Sequence, residues 1–277
     1  MYESYFSLKE KPFTTTSNPA YLFLSKRHQE ALSHLLYGIK ERIGFIEITG
    51  EVGTGKTTLC RALLNQLDEK TKSAFIFNSN MTGTQLMQTI VEDLGIPASE
   101  KGRGSLFSAL NRFLIKQLSL DNNVVLIIDE AQNLSGKLLE QIRMLSNLEA
   151  ENQKLIQIVL VGQPELREKL NSPSLRQLRQ RIAIRCQIKA LTQEESALYI
   201  EHRLRRAGSN GGGPLFDWEA LDEIYQYTGG IPRLINIVCD RALLTGYVAE
   251  QKNIGREIIR RSIQEIEGGI RSDEYYQ

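Results

Sequence analysis

Unbroken apolar runs alternate with helical periods along the first two thirds of the chain. Residues 44–49 (Gly-Phe-Ile-Glu-Ile-Thr), 124–128 (Val-Val-Leu-Ile-Ile) and 155–163 (Leu-Ile-Gln-Ile-Val-Leu-Val-Gly-Gln) carry few polar side chains, the pattern of strands buried on both faces of a parallel sheet. Residues 73–78 read as a further short strand ending on the polar Asn78, and Pro164 stops the run before it. Apolar residues at helical spacing predict helices over 28–39, 58–64, 82–94, 106–120 and 138–148, with a polar, glycine-bearing loop over 98–104. This alternation specifies an α/β sandwich with a parallel sheet and places any ligand at the carboxyl ends of the strands. Beyond about residue 191 the strand signal disappears. Helices are predicted over 192–207, 217–228, 232–250 and 255–267, with Thr192 and Glu195 forming a capping box, Asp217 an N-cap and residues 208–213 a flexible connector. The predicted organisation is an α/β domain over 1–190 that includes an N-terminal extension over 1–25, a small all-helical domain over 191–268 and a frayed tail over 269–277.

Composition narrows the classes. A chain of 277 residues can bury a real core in one large or two medium domains, and its net charge of +1 creates no global field for nucleic acid or anionic membrane. Cys60, Cys186 and Cys239 are odd in number and lack metal-ligand or disulfide spacing, so they read as core residues in a reducing compartment. His28 and His34 have no metal-ligating company and read as surface or packing residues. Met1 to Tyr5 shows no basic region leading into an apolar stretch, and no apolar run reaches the roughly 18–20 residues of a membrane span. The expectation is a soluble cytoplasmic chain without a membrane span.

The chemistry concentrates at two strand ends. Gly50-Glu51-Val52-Gly53-Thr54-Gly55-Lys56-Thr57 follows the first strand and fits the phosphate-binding pattern Gly, four residues, Gly-Lys-Ser/Thr. Gly50, Gly53 and Gly55 let backbone N–H groups face phosphate oxygens, Lys56 adds charge, Thr57 offers a hydroxyl to Mg²⁺, and Thr58 continues into a helix whose positive end faces the phosphates. Asp129-Glu130 closes the buried strand over 124–128: an aspartate to hold Mg²⁺ and a glutamate to orient and deprotonate the attacking water. The cofactors implied are ATP and Mg²⁺. The aromatic, proline-broken segment 5–13 is too short for its own core and is expected to lie on the following domain; with residues 21–25 it is also a candidate to close over a nucleotide base.

With these motifs the chain resembles the AAA+ ATPases, and the resemblance implies further roles. Gln163 falls where that superfamily places its first sensor, although asparagine or threonine is more usual there. Asn78 matches the polar residue that holds the catalytic glutamate until a ligand arrives. Leu175 to Ile182, with Arg176, Arg179 and Arg181, is similar to the box whose arginine reaches the nucleotide of an adjacent subunit; Arg181 matches best, with Arg179 as the alternative. Gly229-Gly230-Ile231-Pro232-Arg233 resembles the second sensor, a turn opening a lid helix and aiming Arg233 at the nucleotide. Tyr5-Phe6-Ser7-Leu8, Lys11-Pro12-Phe13, Leu35 to Ile39, Ile128-Asp129-Glu130-Ala131-Gln132-Asn133-Leu134 and Val161 to Leu166 together look like the component-A ATPases of the general (type II) secretion pathway, over nearly the whole chain. Related ATPases serve pilus and exopolysaccharide export, and more distant cousins are the DNA-binding ATPases of transposition.

The resemblance implies an ATPase that forms a homo-oligomer through an arginine-finger interface and acts on an inner-membrane secretion or export partner, at the cytoplasmic face of that membrane. Longer members continue into a transmembrane helix and a peptidoglycan-binding region, so the sequence reads as a fragment of such a protein or a short relative. The rival from another class is an ATP-dependent DNA-binding switch, favoured by the cations Arg167, Lys169, Arg176, Arg179, Arg181 and Arg185 and by residues 202–206. The near-neutral total charge and the absence of a recognisable helix-turn-helix or zinc module stand against it.

Overall fold

A computed structural model describes residues 1–15, 19–77, 81–97, 103–150, 153–209 and 215–268. The chain opens with one helical turn, α1 (Tyr2–Tyr5), followed by α2 (Lys26–Lys40), β1 (Phe45–Gly50), α3 (Lys56–Leu64), β2 (Thr71–Ile76), α4 (Gly83–Asp93) and α5 (Arg103–Ser119). Then come β3 (Asn123–Ile128), α6 (Gly136–Leu145), the two-residue strands β4 (Glu149–Ala150) and β5 (Gln153–Lys154), and β6 (Gln157–Gly162). The α/β pattern ends with α7 (Pro164–Leu170), α8 (Arg176–Arg181) and β7 (Ile182–Ile188). Five strands pair in parallel in the order β2-β3-β6-β1-β7, with Ile46 opposite Val159 and Leu126 opposite Ile158. All residues of β1, β3 and β6 are buried, as their unbroken apolar runs require, whereas the edge strands β2 and β7 are only partly buried. The core gathers Leu86, Ile90, Leu110, Leu139, Ile142 and Leu166 from the helices against Leu126, Ile128, Ile158 and Leu160 of the sheet.

The elements differ from expectation in detail. β2 begins two residues earlier than the predicted strand, which leaves Phe77 exposed just past its end. Asn78 lies outside the described residues, as do residues 98–102 of the predicted loop, 210–214 around the predicted connector and the tail over 269–277. Helices α7 and α8 and the β4–β5 hairpin are additions; α7 and α8 run for 7 and 6 residues, too short to show a full apolar period.

The chain divides into two units, Lys26–Lys189, and Met1–Ser25 together with Ala190–Gln277. The second contains α9 (Gln193–Arg206), α10 (Trp218–Thr228), α11 (Pro232–Val248) and α12 (Arg256–Gly268). Both capping expectations hold: the Thr192 hydroxyl and the Glu195 carboxylate form a capping box on α9, and Asp217 accepts from the Ala220 N–H on α10. The expectation that residues 1–25 extend the α/β domain is corrected. Tyr2, Phe6, Leu8, Phe13 and Tyr21 share the core of the helical unit with Tyr199, Ile224, Ile235 and Leu243. Arg203, only 6% exposed, fastens the segment by donating to the carbonyls of Pro12 and Thr14, with its guanidinium over the Tyr21 ring. Bulky side chains that cannot make a core alone complete that of four short helices, irrespective of the sequence distance.

Candidate phosphate-binding and catalytic site

Sheet order makes the site. Because β6 lies between β3 and β1, the carboxyl ends of those three strands bring Asp129-Glu130, Gln163 and the glycine loop side by side.

The loop leaves β1 at Gly50 and enters α3 at Lys56. A Cβ at Gly50 would stand 2.5 Å from the Ile188 carbonyl oxygen, so this glycine is required by the neighbouring strand β7 as well as by any ligand. Gly53 and Gly55 take φ of 81° and 97°, the left-handed region that turns successive N–H groups to one side. Gly55 is the N-cap of α3 and brings no side-chain acceptor, so the first N–H groups of this nine-residue helix keep their capacity for an anion. Glu51 and Val52 form the exposed tip, and Thr54 is buried with its hydroxyl donating to the Glu51 carbonyl at 2.8 Å. Thr58, half-buried, continues the first turn of α3.

Lys56 is buried and donates to the carbonyls of Gly50 at 2.8 Å and Glu51 at 3.0 Å. Burial pulls its ammonium below the usual lysine range, and the carboxylates of Glu130, Asp129 and Glu51 pull it back. An anion at the loop would compensate the burial of this side chain. The Thr57 hydroxyl donates to Asp129 Oδ2 at 2.7 Å, while Asp129 Oδ1 accepts from the Glu130 N–H at 2.9 Å. Thr57 and Asp129 thus stand together as an oxygen pair. Among the described residues no group of three or more His, Cys, Asp or Glu side chains gathers to hold a metal. Magnesium suits this arrangement, since it is commonly bound by one or two protein oxygens together with substrate phosphates and water.

Glu130 adopts φ 52° and ψ 36°, a left-handed conformation uncommon for a residue with a side chain. Its Oε2 accepts from Gln132 Nε2 and, at 3.2 Å, from Gln163 Nε2. Gln163, the N-cap of α7, is thus brought beside Glu130. Gln132 was not singled out as a site residue; its place two residues after the carboxylate pair was the only signal for it.

His28 is a second residue whose part was missed. It is buried, and its ring Nε2 lies 3.0 Å from the Thr54 carbonyl oxygen, which can only accept, so that nitrogen carries the proton. This bond ties the Thr54 carbonyl of the loop to α2. His34 is exposed, and all three cysteines are buried. Burial pushes the Cys60 thiol up, and nearby Asp129 pushes the same way, so it stays an inert packing group.

The arginines separate. Arg181, half-buried, donates to the Ser146 hydroxyl at 3.0 Å, and Arg179 reaches Asn171 at 3.5 Å. Arg167 and Arg185 flank Glu47, a carboxylate buried in mid-β1, at 3.4 Å and 3.2 Å. Lys169 donates to the carbonyls of Gln132 and Leu134. Five cations of the basic run are thereby engaged within their own unit. Arg233 is exposed in the first turn of α11, directly after Pro232, in the helical unit.

Comparison with known proteins bears on the fold. Residues 39–170 match the AAA domain family. General secretion pathway protein A of Aeromonas hydrophila is 41% identical over 278 residues, which is 100% of this chain but 50% of the relative, so the chain spans half that protein's length. Among solved structures, Cdc6p from Pyrobaculum aerophilum superposes with a TM-score of 0.69 at 22% identity, over 91% of this chain and 71% of that one. The ORC2 protein of Aeropyrum pernix, solved as ADPNP-ADP complexes, gives 0.67 at 18% identity, over 93% and 72%. Identities this low speak to the fold alone. Residues 39–170 thus match an AAA domain, the fold is the parallel-sheet AAA+ fold, and the whole chain is similar to half of General secretion pathway protein A.

Proposed function

We propose that the chain binds Mg-ATP and hydrolyses it, and that this drives or regulates assembly of a bacterial secretion or export machine. The observation that carries the hydrolytic part is the convergence of Lys56, the Thr57–Asp129 hydrogen bond and Glu130 at the carboxyl ends of β1 and β3, the two strands that flank β6. The loop N–H groups and Lys56 bind the phosphates, Thr57 and Asp129 hold the metal, Glu130 takes the proton of the attacking water, and Gln163 positions the reacting groups. Magnesium, when bound, spreads positive charge over the phosphate oxygens. The secretion role is supported by the identity with General secretion pathway protein A and extends only to the half of it that this chain spans. With that role come an inner-membrane partner and a place at the cytoplasmic face of the membrane. No described helix is long and apolar enough to cross one.

Arg233 acts as the second sensor from the helical unit, and Arg181 as the finger on a neighbouring copy's nucleotide. Since Arg181 is bonded to Ser146 in its own chain, a role in trans competes with that bond, and Arg179 is the alternative. The DNA-binding alternative is weakened by the internal engagement of Arg167, Lys169, Arg181 and Arg185. The test is an ATPase assay with a nucleotide-binding titration. Lys56→Ala is expected to lose binding, whereas Glu130→Gln keeps binding and loses turnover; normal turnover in Glu130→Gln removes the assigned base. Turnover per subunit should climb with protein concentration, and a flat dependence removes the finger in trans. If cells carrying Glu130→Gln export normally, the secretion role fails.

A further inference from the structure

We infer that His28 is a positioning residue for phosphate binding, holding the Thr54–Gly55 peptide so that the Gly55 N–H is presented to the ligand. This rests on the glycine loop being a phosphate site.

His28 stands on a fixed base. It is the third residue of α2, whose buried face continues through Leu32, Leu35 and Ile39. Gly38 lets this helix approach the sheet closely: a Cβ there would stand 2.8 Å from Ile46 Cδ1 of β1 and 2.7 Å from Ile184 Cδ1 of β7. From that base the buried imidazole meets the loop at two points. Its Nε2 donates to the Thr54 carbonyl at 3.0 Å, and a Cβ at Gly55 would stand 3.1 Å from the same nitrogen. A side chain at residue 55 would therefore press on the imidazole, besides being strained by the φ of 97° there.

The consequence follows from the planarity of the peptide. In a trans peptide the C=O and N–H point in opposite directions, so a donor that holds the Thr54 oxygen toward α2 turns the Gly55 N–H away from it. That N–H has no acceptor among the described residues, and it stands at the N-terminal end of α3, where a helix favours an anion. The opposite orientation of this one peptide would put a carbonyl oxygen in its place and repel a phosphate. Two other loop carbonyls, of Gly50 and Glu51, are held by Lys56, which has the phosphate itself to serve. The Thr54 carbonyl is held by a residue outside the proposed reacting set, so its bond can persist while the ligand is bound.

The test titrates ATP and, separately, inorganic tripolyphosphate into the full chain by calorimetry, for wild type, His28→Phe and His28→Gln. Phenylalanine keeps a buried ring and loses the donor, whereas glutamine carries an amide N–H at similar reach. In His28→Phe the Kd for both ligands is expected to rise about tenfold, and in His28→Gln to return to within about threefold of wild type. Equal weakening of the two ligands marks an effect on phosphate, since only one of them has a base and a sugar. An unchanged Kd in His28→Phe, or losses alike in both variants, overturns the inference and leaves the loop as a phosphate site. Weakening of ATP alone, with tripolyphosphate unaffected, also overturns it, because His28 then acts on the nucleoside. If wild type binds neither ligand, the phosphate reading of the loop fails and the inference falls with it. If His28→Phe unfolds, His28→Met is measured in its place against the same criteria.

Discussion

Among the described residues, Glu47 is the only carboxylate within a strand buried on every residue, and its strand leads into the glycine loop. It is 2% exposed, with Arg167 Nε at 3.4 Å on one oxygen and Arg185 Nε at 3.2 Å on the other. At an effective dielectric of about 20, each pair attracts by about 5 kcal/mol before desolvation is subtracted. The two arginines are 42% and 43% exposed, so solvent screens part of that and lets either rehydrate when its partner is lost. Removing one arginine leaves the carboxylate paired, and Arg167→Ala or Arg185→Ala should each cost about 1–2 kcal/mol. Removing both leaves a buried unpaired charge, for which about 3–5 kcal/mol is expected, near or above the sum of the singles. Glu47→Leu removes the buried charge and should stay within about 1 kcal/mol of wild type, since the freed arginines face solvent. Urea unfolding followed by circular dichroism measures all four variants. A double variant costing less than about 1 kcal/mol would show that the carboxylate is solvated and would refute the reasoning.

Lys56 makes a prediction about pH. Its folded ammonium is held below the ordinary lysine value by burial, with Glu130 and Asp129 opposing, so the unfolded chain binds more protons in the interval between the two values. Wild type should therefore gain stability relative to Lys56→Met as pH rises through that interval, and a flat or opposite trend contradicts the buried charge. Arg203→Met removes the donor to Pro12 and Thr14 and should cost about 2–4 kcal/mol; proteolysis near residues 10–15 should accelerate, and unchanged cleavage would count against the fastening. His28→Phe keeps a ring but loses the proton on Nε2, and a fall of about tenfold in ATP affinity is expected. His28→Gln, whose amide can replace that donor, should recover most of it, and equal losses in both would assign His28 to packing.

Much of the site was legible because it depends on local spacing. The residues from Gly50 to Thr57, the pair Asp129-Glu130 and Gln163 each follow a run of strand-forming apolar residues, and side-chain chemistry at a strand end needs no knowledge of the rest of the fold. The Gly229 to Arg233 turn was equally readable from its glycines and its helix-opening proline. Gln132, His28 and Glu47 were not, since each acquires its role from a partner on another element: Gln163, Thr54, and the two arginines.

The sequence by itself determined the alternation of strands and helices, the later all-helical part and the glycine-loop motif, because periodicity and motif spacing act over a few residues. Tertiary structure decided the order β2-β3-β6-β1-β7 and the packing of residues 1–25 on helices far along the chain. It also decided which cations serve the protein itself. Those outcomes turn on which surfaces can exclude water together and which buried charges find partners, and both are properties of residues brought close only by folding.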